Sequence, residues 1–431
     1  MTFKIITLGC KVNQYESQAM TQALLAAGFA PALPGEPAGL VVVNSCTVTA
    51  QSDHKVRQAL RRARRENPQA VTVLTGCMPQ AFPDAAALTG ADIVLGNTNR
   101  KSLVPHVQEF LASRKRLVDV VPHVSGEPFE ALRVEEFHGR TRAFLKIQDG
   151  CDRFCAYCII PYARGRARSK PLADVAEEAL RLGRAGYKEV VLTGINLPAY
   201  GKDLGLHLCD AVEAVCQAPG VERVRLGSLE PEQLTPEVIG RMARQEKLCP
   251  QFHLSLQSGC GATLRRMNRH YDTAEYRRIV EKLREVFPNA AITTDMMVGF
   301  AGETEEEFAQ SLEFARSIAF AKVHVFAYSR RPGTVAYNMP GQVSNAVKEQ
   351  RSRALSAVTE ETRRAFLQEQ VGRLEPVLFE QQAAPGIWEG YTPNYTPVHV
   401  PSEEALAGEI RPVRLTECTG ELCLGEISHS L

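Results

Sequence analysis

At 431 residues, with 44% apolar and 23% charged side chains, the chain is long enough for two or three domains with buried cores, which excludes a peptide, a coil or a disordered tail. No run approaches the roughly 18 apolar residues of a membrane span, so no membrane partner is expected. The net charge of +1 is uneven: residues 371–431 hold three arginines against nine glutamates, or −6, which leaves +7 on the remainder as the part suited to meet a nucleic acid.

The opening "MTFKIITLGCKVNQ" turns polar after ten residues and lacks the features of an export signal, so a cytoplasmic chain is expected. In a reducing compartment, clustered members of the twelve cysteines point to metal binding or catalysis more than to disulfides. Up to about residue 118, strand-like runs alternate with helical ones. "FKIITLG" precedes "YESQAMTQALLAAGF", "GLVVVNS" precedes "SDHKVRQALRRARREN", and "AVTVLTG" precedes a third helix and the short run "ADIVLG". Such alternation predicts a parallel sheet with helices on its faces. Residues 119–141 lose the rhythm and read as a linker.

From residue 142 six more strands are predicted: "RAFLKIQDG", "EVVLTGIN", "RVRLGSLE", "FHLSLQSG", "AITTDMMVGF" and "KVHVFAYS". Helices near 172–185, 207–217, 235–246, 272–287 and 304–319 separate them; Thr304 with Glu307 makes a capping box, and Thr235 before Pro236 marks another helix start. Six βα repeats suggest a partial barrel more than a closed eight-stranded one. A long polar helix leads out of it to residue 371, and 372–431 break into short strands that suit a small antiparallel β-barrel. The fold class is α/β with that β domain appended.

The sharpest motif is "CDRFCAYC", with Cys151, Cys155 and Cys158 just past the first barrel strand. Three thiolates on one tight loop hold three corners of an iron-sulfur cubane and leave the fourth iron open. The plainer reading, three buried thiols, fits poorly beside Asp152, Arg153 and Tyr157, and a zinc site lacks a nearby fourth ligand. Cys10, Cys46 and Cys77 each follow a small residue at a strand end. Parallel strands gather such positions on one edge, where open α/β sheets place ligands. One cysteine beside a strand is ordinary packing; three in equivalent places indicate a second iron-sulfur site. Gly9, Ser45 and Gly76 before them allow a sharp turn.

Two basic runs stand out. Lys55, Arg57, Arg61, Arg62, Arg64 and Arg65 lie on the helix after Cys46, and residues 140–170 carry eight Arg or Lys against Asp149 and Asp152. Either run suits phosphates or forms a solvated face. Trp388, Tyr391 and Tyr395 in the tail offer rings to bases, with strand packing as the alternative, most of all for Trp388. Cys209, Cys216, Cys249, Cys260, Cys418 and Cys423 are assigned to no cluster, and His253 and His324 read as barrel filling.

The spacing of Cys151, Cys155 and Cys158, with an aromatic before the last, resembles the radical S-adenosylmethionine (SAM) superfamily. That resemblance implies that SAM binds the open iron and is cleaved to a 5′-deoxyadenosyl radical. It carries SAM contacts onto Asn196 in "LTGIN", Ser228 and Glu230 in "LGSLE", Gln257 in "SLQSG", and Asp295 and Val298 in "TTDMMVGF". Both triplets with the C-terminal barrel resemble the methylthiotransferases over nearly the whole chain. The implied units are a cluster domain (1–118), a linker (119–141), a radical SAM partial (β/α)6 barrel with its trailing helix (142–371) and a TRAM domain (372–431).

"TLGCKVNQYES" and "NSCTVTAQSDHKVRQ" look most like the tRNA enzymes of that family acting on N6-threonylcarbamoyladenosine. The resemblance implies two 4Fe–4S clusters and SAM, a tRNA anticodon stem-loop as substrate, a flavodoxin or ferredoxin as electron donor and a monomer. Rival readings are methylthiolation of a ribosomal protein, which the acidic tail favours, or of isopentenyladenosine in tRNA, or a non-catalytic iron-sulfur RNA-binding protein.

Overall fold

The computed structural model describes residues 1–132, 134 and 140–428. Six parallel strands form the first sheet: β1 (Thr2–Thr7), β2 (Ala30–Pro31), β3 (Leu40–Ser45), β4 (Val71–Gly76), β5 (Ile93–Leu95) and β6 (Leu117–Asp119), in the order β2-β1-β3-β4-β5-β6. Every residue of β3 and β4 is buried, as expected of parallel strands covered on both faces. Val42 and Val73 pack with Leu24 and Val107 on one side, Val43 and Leu74 with Val56 and Leu60 on the other. The strand order reverses direction at β1 and β3, the switch point where doubly wound sheets bind ligands at their carboxyl edge. Helices α1 (Lys11–Ala26), α2 (Ala50–Glu66) and α3 (Cys77–Ala81) leave that edge. The short strands β2 and β6 carry too few residues to announce themselves in the sequence.

The stretch read as a linker has no helix or strand from 120 to 132, and Arg133 and Glu135–Gly139 lie outside the described residues. Its described part is held on both sides. Gln80 donates to Val121 O at 2.8 Å, His123 Nε2 meets Asn97 Oδ1 at 2.9 Å, and Glu127 pairs with Arg168 at 3.0 Å.

Two short strands, β8 (Gln148–Asp149) and β9 (Arg168–Ser169), pair antiparallel around the cysteine loop. The predicted barrel strands are β7 (Arg142–Lys146), β10 (Glu189–Thr193), β11 (Arg223–Leu226) continued past Gly227 as β12 (Ser228–Leu229), β13 (Gln251–Leu254), β14 (Ala291–Val298) and β15 (Lys322–Ala327). All pair in parallel, β11-β10-β7 and β12-β13-β14-β15, so the break at Gly227 divides one partial barrel into two sheets. The capping box at Thr304 and Glu307 starts the helix Glu305–Ile318 as expected. The helix Asn345–Gln368 lies along β15 and leads to the last domain.

There β16 (Leu374–Ala384), β17 (Ile387–Tyr391), β18 (Pro397–Pro401), β19 (Ile410–Cys418) and β20 (Cys423–Ile427) close a five-stranded barrel. Four of its seams are antiparallel; the fifth, β18 with β20, is parallel. Trp388 packs in its core with Val377 and Phe379. Among the described residues no helix is long and apolar enough to cross a membrane.

Candidate functional site: two cysteine triplets and their arginines

Cys46 and Cys77 stand directly after β3 and β4, and Cys10 stands three residues past the end of β1. Gly9 and Gly76 adopt φ of +128° and +98°. A Cβ at Gly9 would sit 3.0 Å from Cys46 Cβ, and one at Gly76 would sit 2.5 Å from Ser45 O, so neither position admits a side chain without displacement. Ser45 stitches the edge: its hydroxyl donates to Thr75 O at 2.6 Å and accepts from Met78 N at 3.2 Å. Asn13, on α1, donates to Ser45 O at 3.0 Å and accepts from Cys10 Sγ at 3.3 Å. Burial pushes the Cys77 thiol up to about 12 against the pull of Arg164, with Cys46 and Cys10 adding to the rise. Asn13 ties Cys10 to Ser45, next to Cys46, and Ser45 ties Thr75 and Met78 on either side of Cys77, so the strand ends converge.

The second triplet lies on the loop between β8 and the helix Ile160–Arg164. Gly150 (φ +71°) is obligatory, because a Cβ there would meet Arg166 O at 1.9 Å. The loop is pinned to distant backbone by Ala156 N to Met267 O (2.9 Å), Ala336 N to Ala156 O (2.7 Å) and Asn268 Nδ2 to Phe154 O (3.1 Å). Burial raises Cys151 to about 11 and raises Cys158 further, each with Cys155 as a contributor. Burial thus raises Cys10 and Cys77 in the first triplet and Cys151 and Cys158 in the second, and a thiol ligates a metal only after losing its proton. Among the described residues no group of three His, Cys, Asp or Glu converges tightly enough for a single metal ion. A cubane gives each thiolate its own iron and has no need of that convergence.

Of the six residues expected near SAM, Asn196 and Gln257 carry the strongest signal. Asn196 Oδ1 and Gln257 Oε1 are buried acceptors without a partner, a costly state that a bound donor such as an ammonium would relieve. Asn196 is aimed by Gln148, whose Oε1 accepts its N–H at 2.7 Å, and its own amide lies 3.9 Å from Cys151 Sγ. Gln257 holds φ +71° and donates its N–H to Asp295 O at 2.9 Å. Ser228 is exposed, while Glu230 is clasped by Arg269, which also donates to Cys155 Sγ at 3.3 Å. The Asp295 carboxylate instead faces His253 Nε2 at 3.4 Å, and His253 Nδ1 meets Thr293 at 3.1 Å, a polar cluster on neighbouring barrel strands. Val298 is buried in the apolar core and its carbonyl accepts from Tyr328 N at 2.9 Å.

The basic stretch 140–170 is a correction. Lys146, Arg164, Arg168 and Lys170 are buried and paired with Glu16, Asp149, Glu127 and Glu178. Arg142 meets Glu380, Arg153 meets Glu232 and the exposed Arg166 meets Asp152. Buried charge requires a partner, so this run builds the interior and offers little to phosphate. Tyr395 stays exposed and stacks on Tyr391 at 4.7 Å, with Arg142 and Arg225 over their rings. By contrast Lys55, Arg57, Arg61, Arg64 and Arg65 on α2 are exposed, and Arg62 pairs with Glu66 at 2.7 Å.

Local pattern also misses Lys11. It follows Cys10 directly and is exposed, and crowding by the protein together with the positive charges of Arg142 and Arg225 lowers its amine.

Residues 145–315 match the Radical SAM superfamily and residues 2–96 match an uncharacterized protein family, UPF0004. The threonylcarbamoyladenosine tRNA methylthiotransferase MtaB of Thermotoga maritima is 39% identical over 91% of this chain and 90% of its own length. Its Bacillus subtilis counterpart is 37% identical over 95% and 92%. A tRNA-2-methylthio-N(6)-dimethylallyladenosine synthase of Pelotomaculum thermopropionicum is 33% identical over 96% and 95%. Among solved structures, the radical SAM methyltransferase TsrM of Kitasatospora setae, with cobalamin and a 4Fe–4S cluster bound, superposes with a TM-score of 0.57 at 15% identity. It spans 78% of this chain and 74% of that one, a likeness of fold.

Proposed function

Since the chain belongs to the methylthiotransferases of the radical SAM superfamily, we propose that it sets a methylthio group on C2 of N6-threonylcarbamoyladenosine in tRNA, beside the anticodon. An aromatic C–H offers no acidic proton, so acid and base groups alone cannot exchange it for sulfur. When bound, a cluster on Cys151, Cys155 and Cys158 supplies, with SAM, the 5′-deoxyadenosyl radical, and a second cluster on Cys10, Cys46 and Cys77 supplies the sulfur. The protein's part is to hold the reactants close: Asn196 and Gln257 offer acceptors to the SAM amine, and Glu230 is kept in place by Arg269.

The observation that carries the choice of base is Lys11, an exposed amine that directly follows Cys10 at the start of α1. A threonylcarbamoyl group ends in a carboxylate, whereas a dimethylallyl group ends in hydrocarbon. Mass analysis of tRNA nucleosides from cells lacking the protein will show no 2-methylthio form of threonylcarbamoyladenosine. Loss of the dimethylallyl form instead, or of a modification on a ribosomal protein, overturns the assignment.

Lys11→Met in the purified enzyme will lower kcat/KM on threonylcarbamoylated tRNA by about 10- to 100-fold, the worth of one charge-assisted hydrogen bond. Formation of 5′-deoxyadenosine without substrate will stay at the parent level. An equal loss on tRNA without the threonylcarbamoyl group would remove Lys11 from carboxylate recognition.

Helix α2 supplies the exposed cations for the RNA backbone. Replacing Arg57, Arg61 and Arg64 with glutamine will weaken tRNA binding most at low salt. The slope of log affinity against log salt will shrink by roughly 2 to 3, at about 0.7–0.9 for each phosphate no longer neutralised. An unchanged slope, followed by filter binding, returns the helix to an ordinary solvated face.

A further inference from the structure

Arg164 stands six residues beyond Cys158, at the end of the helix Ile160–Arg164, yet its guanidinium lies against the other triplet. It is almost wholly buried, and acceptors surround its planar head. Nε donates to Cys77 Sγ at 3.2 Å. Nη1 donates to Glu16 Oε1 at 2.8 Å and Asp149 Oδ1 at 3.2 Å; Nη2 donates to Asn13 Oδ1 and Glu16 Oε2, both at 3.1 Å. A rigid fork engaged at all three nitrogens has one orientation available.

The surrounding charges balance. Arg100, Lys146, Arg164 and Arg168 face Glu16, Asp149, Glu127 and Glu130, and the set joins α1, just behind Cys10, to β7 and β8, just ahead of Cys151. What distinguishes Arg164 within a neutral network is therefore its direction: one N–H aimed at a ligand sulfur. Arg269 bears on Cys155 in the same way, but from within the barrel that carries Cys155. Arg164 reaches across from the loop of one triplet to a sulfur of the other.

We infer that Arg164 is a positioning residue that raises the reduction potential of a cluster held by Cys10, Cys46 and Cys77 and fixes that cluster against the loop of Cys151, Cys155 and Cys158. The inference rests on the two-cluster reading above. One-electron reduction adds a negative charge to the cluster and its thiolates. An N–H held by a buried cation at hydrogen-bond distance favours the reduced form over the oxidised one, one of the established controls on such potentials.

The test uses the full chain with Cys151→Ala, Cys155→Ala and Cys158→Ala, so that only the first triplet is loaded, reconstituted without oxygen and titrated by electron paramagnetic resonance. Arg164→Gln will lower the reduced-to-oxidised ratio at a fixed solution potential by about tenfold, equivalent to about 59 mV for one electron. Arg164→Lys will fall between it and the parent, and Arg269→Gln will leave the value unchanged. In the glutamine variant Glu16 and Asp149 keep Arg100, Lys146 and Arg168 as counter-charges, which favours folding.

A second measurement needs no change at Arg164: pulsed resonance on the same protein labelled with 15N-arginine will show a nitrogen coupled to the cluster. An unchanged midpoint at equal iron content overturns the inference. If the glutamine variant loses its iron, a missing nitrogen coupling overturns it instead. Absence of iron from the protein with Arg164 intact overturns the two-cluster reading, and the inference with it.

Discussion

Cys155→Ala will reduce 5′-deoxyadenosine formation from SAM under a strong reductant on the order of a thousand-fold or more, to the level of the cluster-free protein. The expectation follows from what the loop can no longer do. Cys155 is the buried member of its triplet, flanked by Arg269 at 3.3 Å and by backbone tied to Met267 and Ala336, and beyond Cys151 and Cys158 the loop carries no further cysteine to replace it. In the role proposed for Cys155, its loss removes the chemistry and not merely some binding energy, so kcat falls and not only KM. The triple change Cys10→Ala, Cys46→Ala, Cys77→Ala will act differently. It will retain SAM cleavage, lose about four irons per chain and form no methylthio product. Iron counting beside chromatography of deoxyadenosine and of nucleosides separates the two results. Full iron in the triple variant would remove the second cluster.

The next largest effect is expected at a carboxylate buried between the sheet and the barrel. Glu16 is fully buried and paired with Arg100 at 2.9 Å, Lys146 at 2.8 Å and Arg164 at 2.8 Å. Glu16→Ala leaves three cations short of a counter-charge in the seam between sheet and barrel, and will destabilise the chain by about 3–5 kcal/mol, the usual result of removing one partner of a buried pair. Denaturant unfolding at neutral pH measures it; a loss below about 1 kcal/mol would mean that Asp149 and Glu130 carry the seam without Glu16.

A pH dependence accompanies this. Burial alone would raise the Glu16 carboxyl, but Arg100, Arg164 and Lys146 outweigh it and hold it at about 2. The folded value lies below that of an unfolded glutamate, about 4.3, so the stabilisation is fully present above that value and drains away as pH falls toward 2. It amounts to about 3 kcal/mol, and Glu16→Gln will flatten that part of the acid profile.

Much of the architecture was legible because it is local. Strands of hydrophobic residues such as "LVVVNS" and "VTVLTG", each followed by a helix, can hardly form anything but a covered parallel sheet, and parallel strands bring their ends to one edge. That reasoning alone gathers Cys10, Cys46 and Cys77. The charged interior resisted the same treatment. Arg164 and Glu16 are separated by 148 residues, and nothing near either one names the other. A run of arginines looks the same in sequence whether it meets phosphate or carboxylate, and only the packing of α1 against β7 decides. The parallel seam between β18 and β20 was hidden for a related reason, since strand pairing at a barrel's closure depends on the return path of the chain and not on side-chain alternation.

The reach of Arg164 to Cys77 also has a consequence in time. The sheet that brings the first three cysteines together ends at Asp119, but the arginine that lies over Cys77 is made 45 residues later (164 − 119), roughly 2–9 s at ordinary rates of translation. On the ribosome, the first site therefore exists for a while as a half-built vessel with one wall missing. Docking of the barrel loop supplies that wall, so the order in which the chain emerges separates the gathering of the thiols from their enclosure.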